Sequence, residues 1–90
     1  MYQIKRLESH PVRPDWFSRM LMRVPKEVYA PAEFSASLSS RLSQLYDCLN
    51  SYLSTYKPRY KTEKDDLSVK VVTPSGNIYV LFQIENCELN

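Results

Sequence analysis

The chain has 90 residues, of which 43% are hydrophobic and 24% charged, so it suits one small folded domain and is too short for a second core. Its net charge of +2 does not by itself imply nucleic acid or a membrane, and its single glycine excludes phosphate-binding loops, which need several. One histidine and two distant cysteines, Cys48 and Cys87, cannot assemble a zinc site alone. His10, flanked by Pro11, is expected to be a surface or packing residue. We therefore expect no cofactor, no metal and no enzymatic activity.

The cysteine content and the length of the apolar runs indicate the cellular compartment in which the protein resides. A small secreted domain held by disulfides normally has more than two cysteines, so both are expected as reduced thiols, with Cys48 a half-buried hydrophobe. One disulfide between a helix and a strand is the alternative. No apolar run approaches the roughly 20 residues that span a bilayer, and the N-terminus lacks the apolar core of a signal peptide. We expect a cytoplasmic protein without membrane association, complete from Met1, of the kind that phages and mobile elements encode.

The first predicted elements are a strand and a short helix. Residues 2–7 partly alternate between apolar and polar side chains, which predicts a strand. The prolines in residues 10–14 indicate a connection, because proline lacks the N–H that a central strand needs. Residues 15–24 predict a helix, since apolar residues recur there at positions i, i+4 and i+8, and Pro25 ends it.

A long amphipathic helix is predicted over residues 31–56. Pro31 suits its first turn, and Pro58, after Lys57, forces its end. From Leu38 onward the apolar residues are spaced 4, 3, 4, 3 and 4, as in a heptad seam. The apolar stripe comprises Phe34, Leu38, Leu42, Leu45, Leu49, Tyr52 with Leu53, and Tyr56. Two interpretations remain: a helix laid over a sheet, or the seam of a homodimer.

The C-terminal third predicts a charged connection followed by a β-hairpin. Residues 57–66 are mostly charged, whereas residues 67–71 and 78–84 alternate with period two. A three-residue loop between these strands would set Val80 opposite Lys70 and break the apolar face. A four-residue loop sets Val69 opposite Phe82 and keeps that face intact, so we predict the four-residue loop.

The predicted loop has defined turn chemistry and a defined register. Pro74 is expected as the first central residue of a type I turn, with Gly76 or Asn77 at positive φ. The predicted pairs are Thr73 with Ile78, Val71 with Val80, Val69 with Phe82, and Leu67 with Ile84.

These elements predict an α+β fold in a single domain over residues 1–90. The order is an N-terminal strand, a short helix, a long amphipathic helix and a C-terminal β-hairpin, with the helices packed on one face of a small antiparallel sheet of three strands. The apolar face of the hairpin is expected to be core, and Tyr79 and Leu81 are expected on the reverse face. The predicted core residues of the hairpin are Val69, Val71, Val80, Phe82 and Ile84.

The favoured function is a non-enzymatic protein-binding module, a small cytoplasmic adaptor or inhibitor that docks on a larger protein partner. Seven tyrosines, one tryptophan and nearby bases supply residue types that are common at the energetic centres of interfaces. The candidate contact residues are Arg19, Arg23, Tyr56, Arg59, Tyr60 and Tyr79.

A nucleic-acid-binding protein is the first alternative. Residues 52–61 bring three tyrosines and three bases together, a combination that can stack bases and grip phosphates. Glu63, Asp65 and Asp66 follow at once and dilute the positive field. Steep weakening with salt would separate this alternative from protein binding.

A toxin is the second alternative, based on a resemblance. The order strand, helix, helix, hairpin and the run NIYVLFQIE over residues 77–85 resemble the RelE/ParE-type toxins directed at the ribosome or gyrase. The resemblance covers about nine residues and implies a toxin-like ribonuclease. No base lies in that strand here and the tail after it is acidic, so the resemblance assigns no catalytic residue.

Overall fold

A computed structural model describes residues 1–7, 19 and 22–87. The strands in these ranges are β1 (Tyr2–Arg6), β2 (Lys61–Lys64), β3 (Ser68–Val72) and β4 (Ile78–Asn86). Two 3-10 helices, Lys26–Tyr29 and Ser35–Leu38, precede the α-helix α1 (Ser39–Tyr56). Most of the predicted helix over residues 15–24, the connection at 10–14 and His10 lie outside the described residues, although Arg19 and Met22 have helical backbone.

The sheet is antiparallel, has four strands and follows the order β1-β4-β3-β2. Its α+β architecture, with α1 packed on one face, confirms the predicted fold class. The number of strands was wrong by one, because residues 61–64 pair with β3 instead of remaining a charged connection. The sequence did not predict this strand because its residues are charged or polar. Lys61 and Glu63 are exposed, while Thr62 and Lys64 are half-buried beside α1.

The apolar stripe of α1 faces the sheet. Leu42, Leu45, Leu49 and Leu53 are at most 1% exposed and join the same core as Phe82. The interpretation of a helix laid over a sheet is therefore correct. A homodimer seam along these leucines is excluded, because the chain's own sheet already covers them.

The helix begins later than predicted and ends where predicted. The backbone of Ala32 exchanges two hydrogen bonds with Tyr2 (2.7 and 2.8 Å), so the residues around Pro31 extend β1's edge and cannot be helical. Phe34 is consequently 67% exposed. At the other end, the N–H of Lys57 donates to the Leu53 carbonyl oxygen (2.7 Å), and proline follows.

The hairpin between β3 and β4 has the predicted register only at the end away from its loop. The loop itself is shorter than predicted, and a bulge makes up the difference. Thr73 N–H donates to Asn77 carbonyl oxygen (2.9 Å), and Gly76 takes a φ of 89°, so the loop has the three residues 74–76 rather than four. Val80 therefore lies opposite Lys70. A β-bulge then adds one residue to β4 and restores Val69 opposite Phe82, as predicted.

The bulge corrects the predicted faces of β4. Leu81 is 1% exposed and belongs to the core, and Tyr79 packs against that core from across Val71. Neither lies on the reverse face as predicted. Val80, predicted as core, is half-buried on the reverse side beside Lys70. The predicted pairs of Val80 with Val71 and of Ile78 with Thr73 were wrong, since Val71 faces Tyr79 and Ile78 faces Val72.

The described helices contain no segment long and apolar enough to cross a membrane.

Candidate functional site

An open groove of about 490 Å³ runs along one flank of α1. Residues spaced four apart form its helical wall, because positions i, i+4 and i+8 line up on one side of a helix. The opposite wall is the stretch that precedes the first 3-10 helix. The groove is lined by Arg23, Val24, Asp47, Cys48, Ser51, Tyr52, Thr55 and Tyr56.

The stretch opposite α1 is held in place by packing and by one hydrogen bond. Val24 packs against the core, and Val28, in the following 3-10 helix, is buried. The guanidinium of Arg41 on α1 donates from Nη1 to the Ala30 carbonyl oxygen (2.7 Å). Packing therefore restrains the wall at Val24, and the hydrogen bond joins the segment that follows it to α1.

Two stacked tyrosines form the C-terminal end of the groove. The rings of Tyr52 and Tyr56, one helical turn apart, have centroids 4.6 Å apart and planes tilted by 33°. Tyr52 is half-buried against the core, whereas Tyr56 is 63% exposed. Packing therefore restrains Tyr52, which in turn supports an aromatic ring that faces solvent.

Opposite charges and a thiol border the groove. Arg23 lies on one wall and Asp47 on the other, and both are exposed. Cys48 is also exposed, which corrects the prediction of a half-buried hydrophobe: its position falls on the flank of α1 and outside the leucine stripe. Cys48 and Cys87 are free thiols, as predicted.

The groove brings together Arg23 and Tyr56 of the six predicted contact residues. Arg19 and Arg59 are exposed but do not line the groove. Tyr60 and Tyr79 are half-buried and pack against the core. The predicted contacts therefore do not form one surface.

The predicted basic and aromatic patch over residues 52–61 is only partly exposed. Tyr52 and Tyr60 pack against the core, and the Lys57 ammonium lies 5.3 Å from the centre of the Tyr60 ring. Of its three tyrosines, Tyr56 alone offers most of its ring to solvent.

Sequence reasoning missed the polar residues of the helical wall. Asp47, Ser51 and Thr55 are spaced four apart, and this spacing was the available signal. It was hidden because small polar residues on a helix normally indicate a solvated face. The Thr55 hydroxyl donates to the Ser51 carbonyl oxygen (3.2 Å), so its hydrogen is used within the helix.

A second depression, around the turn from β2 to β3, has a structural explanation. Asp65 accepts hydrogen bonds from the backbone N–H groups of Leu67 and Ser68 (both 2.8 Å) and from the Lys70 ammonium (3.0 Å). The Leu67 N–H and then Lys70 hold the pKa of the Asp65 carboxyl well below its usual range. Its acceptor capacity is used by the turn itself.

Tyr29 is, among the described residues, a second titratable group whose pKa is shifted. Its hydroxyl is buried and has no hydrogen-bond partner among the described residues. Burial raises the pKa of the Tyr29 phenol, and the positive charge of Arg6 acts in the opposite sense. The ring packs against the core, so its role in the fold is packing.

The groove carries residue types that are common at contact surfaces. In the ranges that the structure covers, no three His, Cys, Asp or Glu side chains converge on a point where a metal ion would fit. The groove offers two aromatic rings, one cation, one carboxylate and a thiol, which together can bury an apolar side chain and pair with charges beside it.

Comparison of the chain with protein-family models, with curated proteins and with solved structures finds no match.

Proposed function

We propose that the protein is a non-enzymatic protein-binding module, a small adaptor or inhibitor that docks on a larger protein through the groove along α1. The observation that carries the proposal is the tyrosine pair at the groove's end: Tyr56 is 63% exposed and stacks on the restrained ring of Tyr52. An exposed aromatic ring beside a groove is a ready anchor for a partner's side chain.

Preorganisation supports the proposal. A side chain that is already held in place loses little conformational entropy when a partner binds, so more of the contact energy appears as affinity. Tyr52 on one wall and Val24 on the other both pack against the core. The groove therefore needs little reorganisation before it accepts a ligand.

Charge placement supports one kind of partner segment. Arg23 and Asp47 lie on opposite walls of the groove, and both are exposed to solvent. The partner segment is expected to insert an apolar or aromatic side chain between Val24 and Tyr56, with a carboxylate placed near Arg23 and a base near Asp47. Charged groups at such a rim contribute mainly to orientation and association rate.

Nucleic-acid binding remains the alternative. Arg59 and Lys61 are exposed close in sequence to Tyr56, which supports it. The packing of Tyr52 and Tyr60 against the core counts against it, since bases stack on exposed aromatic faces. Retention of a single-stranded oligonucleotide at low salt, with steep loss at physiological salt, would favour this alternative.

The toxin-like alternative stays a prediction from the resemblance in residues 77–85. It predicts growth arrest when the protein is expressed. Normal growth with abundant folded protein would count against it.

The thiol of Cys48 provides the test of the proposal. Cys48 lines the groove and is exposed, while Cys87 is half-buried. In a Cys87→Ser background, a photo-crosslinker attached to Cys48 is expected to capture a specific protein from an extract of the native host. The same captured protein should be lost when Tyr56→Ala is added.

A matched control uses a crosslinker outside the groove, at the other end of α1. Asp66, which is exposed and lies near Ser39 at the start of that helix, is replaced by cysteine in a Cys48→Ser, Cys87→Ser chain. Equal capture from both positions, or capture from Cys48 that Tyr56→Ala leaves unchanged, would contradict docking in the groove. Capture of nucleic acid in place of protein would replace the proposal with its alternative.

A further inference from the structure

The outer edge of β2 is open in the described part of the chain. β2 is the last strand of the sheet, and no strand of the described ranges pairs with its outer side. At the other end of the sheet, the edge of β1 is partly covered, because Tyr2 bonds to Ala32. An open edge presents unpaired backbone N–H and C=O groups to any strand that fits.

The hydrogen-bond pattern of the sheet shows which residues of β2 direct their backbone N–H and C=O groups away from β3. Asp65 N–H donates to the Ser68 carbonyl oxygen (3.1 Å), so these two residues face each other through their backbone groups. Orientation alternates along an antiparallel strand, so Lys61 and Glu63 direct their backbone groups at β3, and those of Thr62 and Lys64 point outward. The hydrogen bonds between β3 and β4 are consistent with this alternation, because the Leu67 carbonyl oxygen accepts from Ile84 N–H (2.8 Å).

Lys61 and Glu63 form a pair of opposite charges that has no partner within the described chain. Both side chains are exposed on the reverse face of the sheet, away from α1. Lys70, opposite Glu63, is bound to Asp65 instead (3.0 Å). Neither Lys61 nor Glu63 forms an ion pair with another described residue.

A residue whose backbone groups point outward can form hydrogen bonds only with another such residue. This limits how a second copy of β2 can add to this edge. A two-fold axis through Lys61, Glu63 or Lys64 sets like charges directly opposite each other, which disfavours these arrangements. An axis through Thr62 sets Thr62 opposite its symmetry mate and each Lys61 opposite the Glu63 of the second copy. That register puts no like charges opposite one another.

We propose that the β2 edge is a homodimerisation site, in which two copies of the chain pair antiparallel about Thr62 and form one continuous eight-stranded sheet. The two Lys61–Glu63 contacts fall at non-hydrogen-bonded positions, where side chains across antiparallel strands come closest. The sequence K-T-E around Thr62 is thus self-complementary under the two-fold symmetry that most homodimers adopt. This interface is separate from the groove and does not depend on its function.

The strand is short, so the dimer is expected to be weak. About four backbone hydrogen bonds and two charge pairs cross the interface, which places it among small, transient contacts. Sedimentation equilibrium from about 1 μM to about 1 mM protein covers the range of such affinities. The wild-type chain is expected to shift from monomer to dimer within that range and to dissociate further as salt is added.

Charge reversal gives the decisive test. Lys61→Glu alone and Glu63→Lys alone each turn both contacts into like-charge pairs, and each is expected to raise the dimer dissociation constant about tenfold or more. The double variant Lys61→Glu, Glu63→Lys restores opposite charges across the axis. It should dimerise with a dissociation constant within about threefold of wild type.

A backbone variant tests the hydrogen bonds independently. Thr62→Pro removes the outward N–H that would donate across the two-fold axis, and proline is tolerated at such an edge position. It should remain folded by circular dichroism and monomeric, whereas Tyr56→Ala, in the groove, should dimerise like wild type. If Thr62→Pro does not fold, the charge-reversal set decides alone.

Two results would overturn the proposal. One is a wild-type chain that stays monomeric up to about 1 mM at low salt, which would mean that the two lysines serve to block edge pairing. The other is a dimer whose dissociation constant does not respond to either single charge reversal.

Discussion

Val69 lies directly across from Phe82, while the next residue of β3, Lys70, lies across from Val80, so β4 carries one extra residue, Leu81, between the two pairs. The extra residue reverses the alternation of β4. Tyr79 and Leu81 before the bulge, and Phe82 and Ile84 after it, all face the core. The bulge therefore lets a short three-residue loop and an unbroken apolar face occur together.

The bulge predicts unequal costs for two neighbouring substitutions in β4. Leu81 is 1% exposed, so Leu81→Ala should lower the free energy of unfolding by about 2–5 kcal/mol. Val80 is half-buried on the reverse side, and Val80→Ala should cost about 1 kcal/mol or less. Urea unfolding of both variants measures the difference. A larger cost at Val80 than at Leu81 would contradict the observed register.

The single glycine is expected to matter only through its backbone. Gly76 has a φ of 89°, and a Cβ at this position would meet no atom within 4 Å. Gly76→Ala should therefore destabilise by about 1–2 kcal/mol from conformational strain alone. Gly76→Asn should cost less, because asparagine tolerates positive φ better than alanine does. Equal losses for the two variants would point to steric contact in place of strain.

Asp65 predicts a pH-dependent contribution to stability. Its pKa is lower in the folded chain than in the unfolded chain, mainly through the Leu67 N–H and then Lys70. Such a carboxyl stabilises the fold above its unfolded-state pKa, about 3.9, and this stabilisation is lost as the pH falls toward the lower folded-state pKa. The stability gap between wild type and Asp65→Asn should be greatest at neutral pH and shrink below about pH 4.

Urea unfolding at pH 7, 5 and 3 checks this dependence. Asp66→Asn is the matched control, since Asp66 is the neighbouring acid and forms no hydrogen bond or ion pair with the described residues. Its stability should differ from wild type by less than Asp65→Asn does at pH 7. A gap for Asp65→Asn that is constant from pH 7 to pH 3 would refute the contribution of the Asp65 charge.

Two substitutions on α1 separate the groove from the core. Tyr56 is 63% exposed, so Tyr56→Ala should change stability by less than about 1 kcal/mol and weaken binding of the crosslinked partner at least about tenfold. Leu53, three residues earlier, is 1% exposed, and Leu53→Ala should cost about 2–5 kcal/mol. Thermal melts and binding titrations measure both. Partner binding unaffected by Tyr56→Ala would count against the groove.

Periodic apolar patterns in the sequence predicted most of the fold. The leucines of α1, the hairpin and the end of the helix before Pro58 were predictable, because burial of one face repeats at a period that the chain itself displays. β2 was not predictable in this way, since two of its four residues, Lys61 and Glu63, face solvent and the other two are polar. Its pairing depends on β3, which supplies the apolar partner strand.

The candidate groove was less predictable than the fold. Tyr56 and Arg23 were identified because aromatic and arginine side chains are common at interfaces. Asp47, Ser51 and Thr55 were not, since they become a wall only when residues 23 and 24 pack beside α1. Tyr60 and Tyr79 were identified on the same ground, and the structure packs both partly against the core, which their residue type does not reveal.

The sequence by itself determined the local periods, the breaks at proline, the positive φ at its one glycine and the α+β class, because these follow from interactions within a few residues. Only the tertiary structure decided that Ala32 pairs with Tyr2 and delays α1, that a bulge at Leu81 sets the faces of β4, and that β2 forms the open edge. These features depend on contacts between segments distant in the chain. Their energies exist only once the sheet and helix have come together, so no local pattern records them.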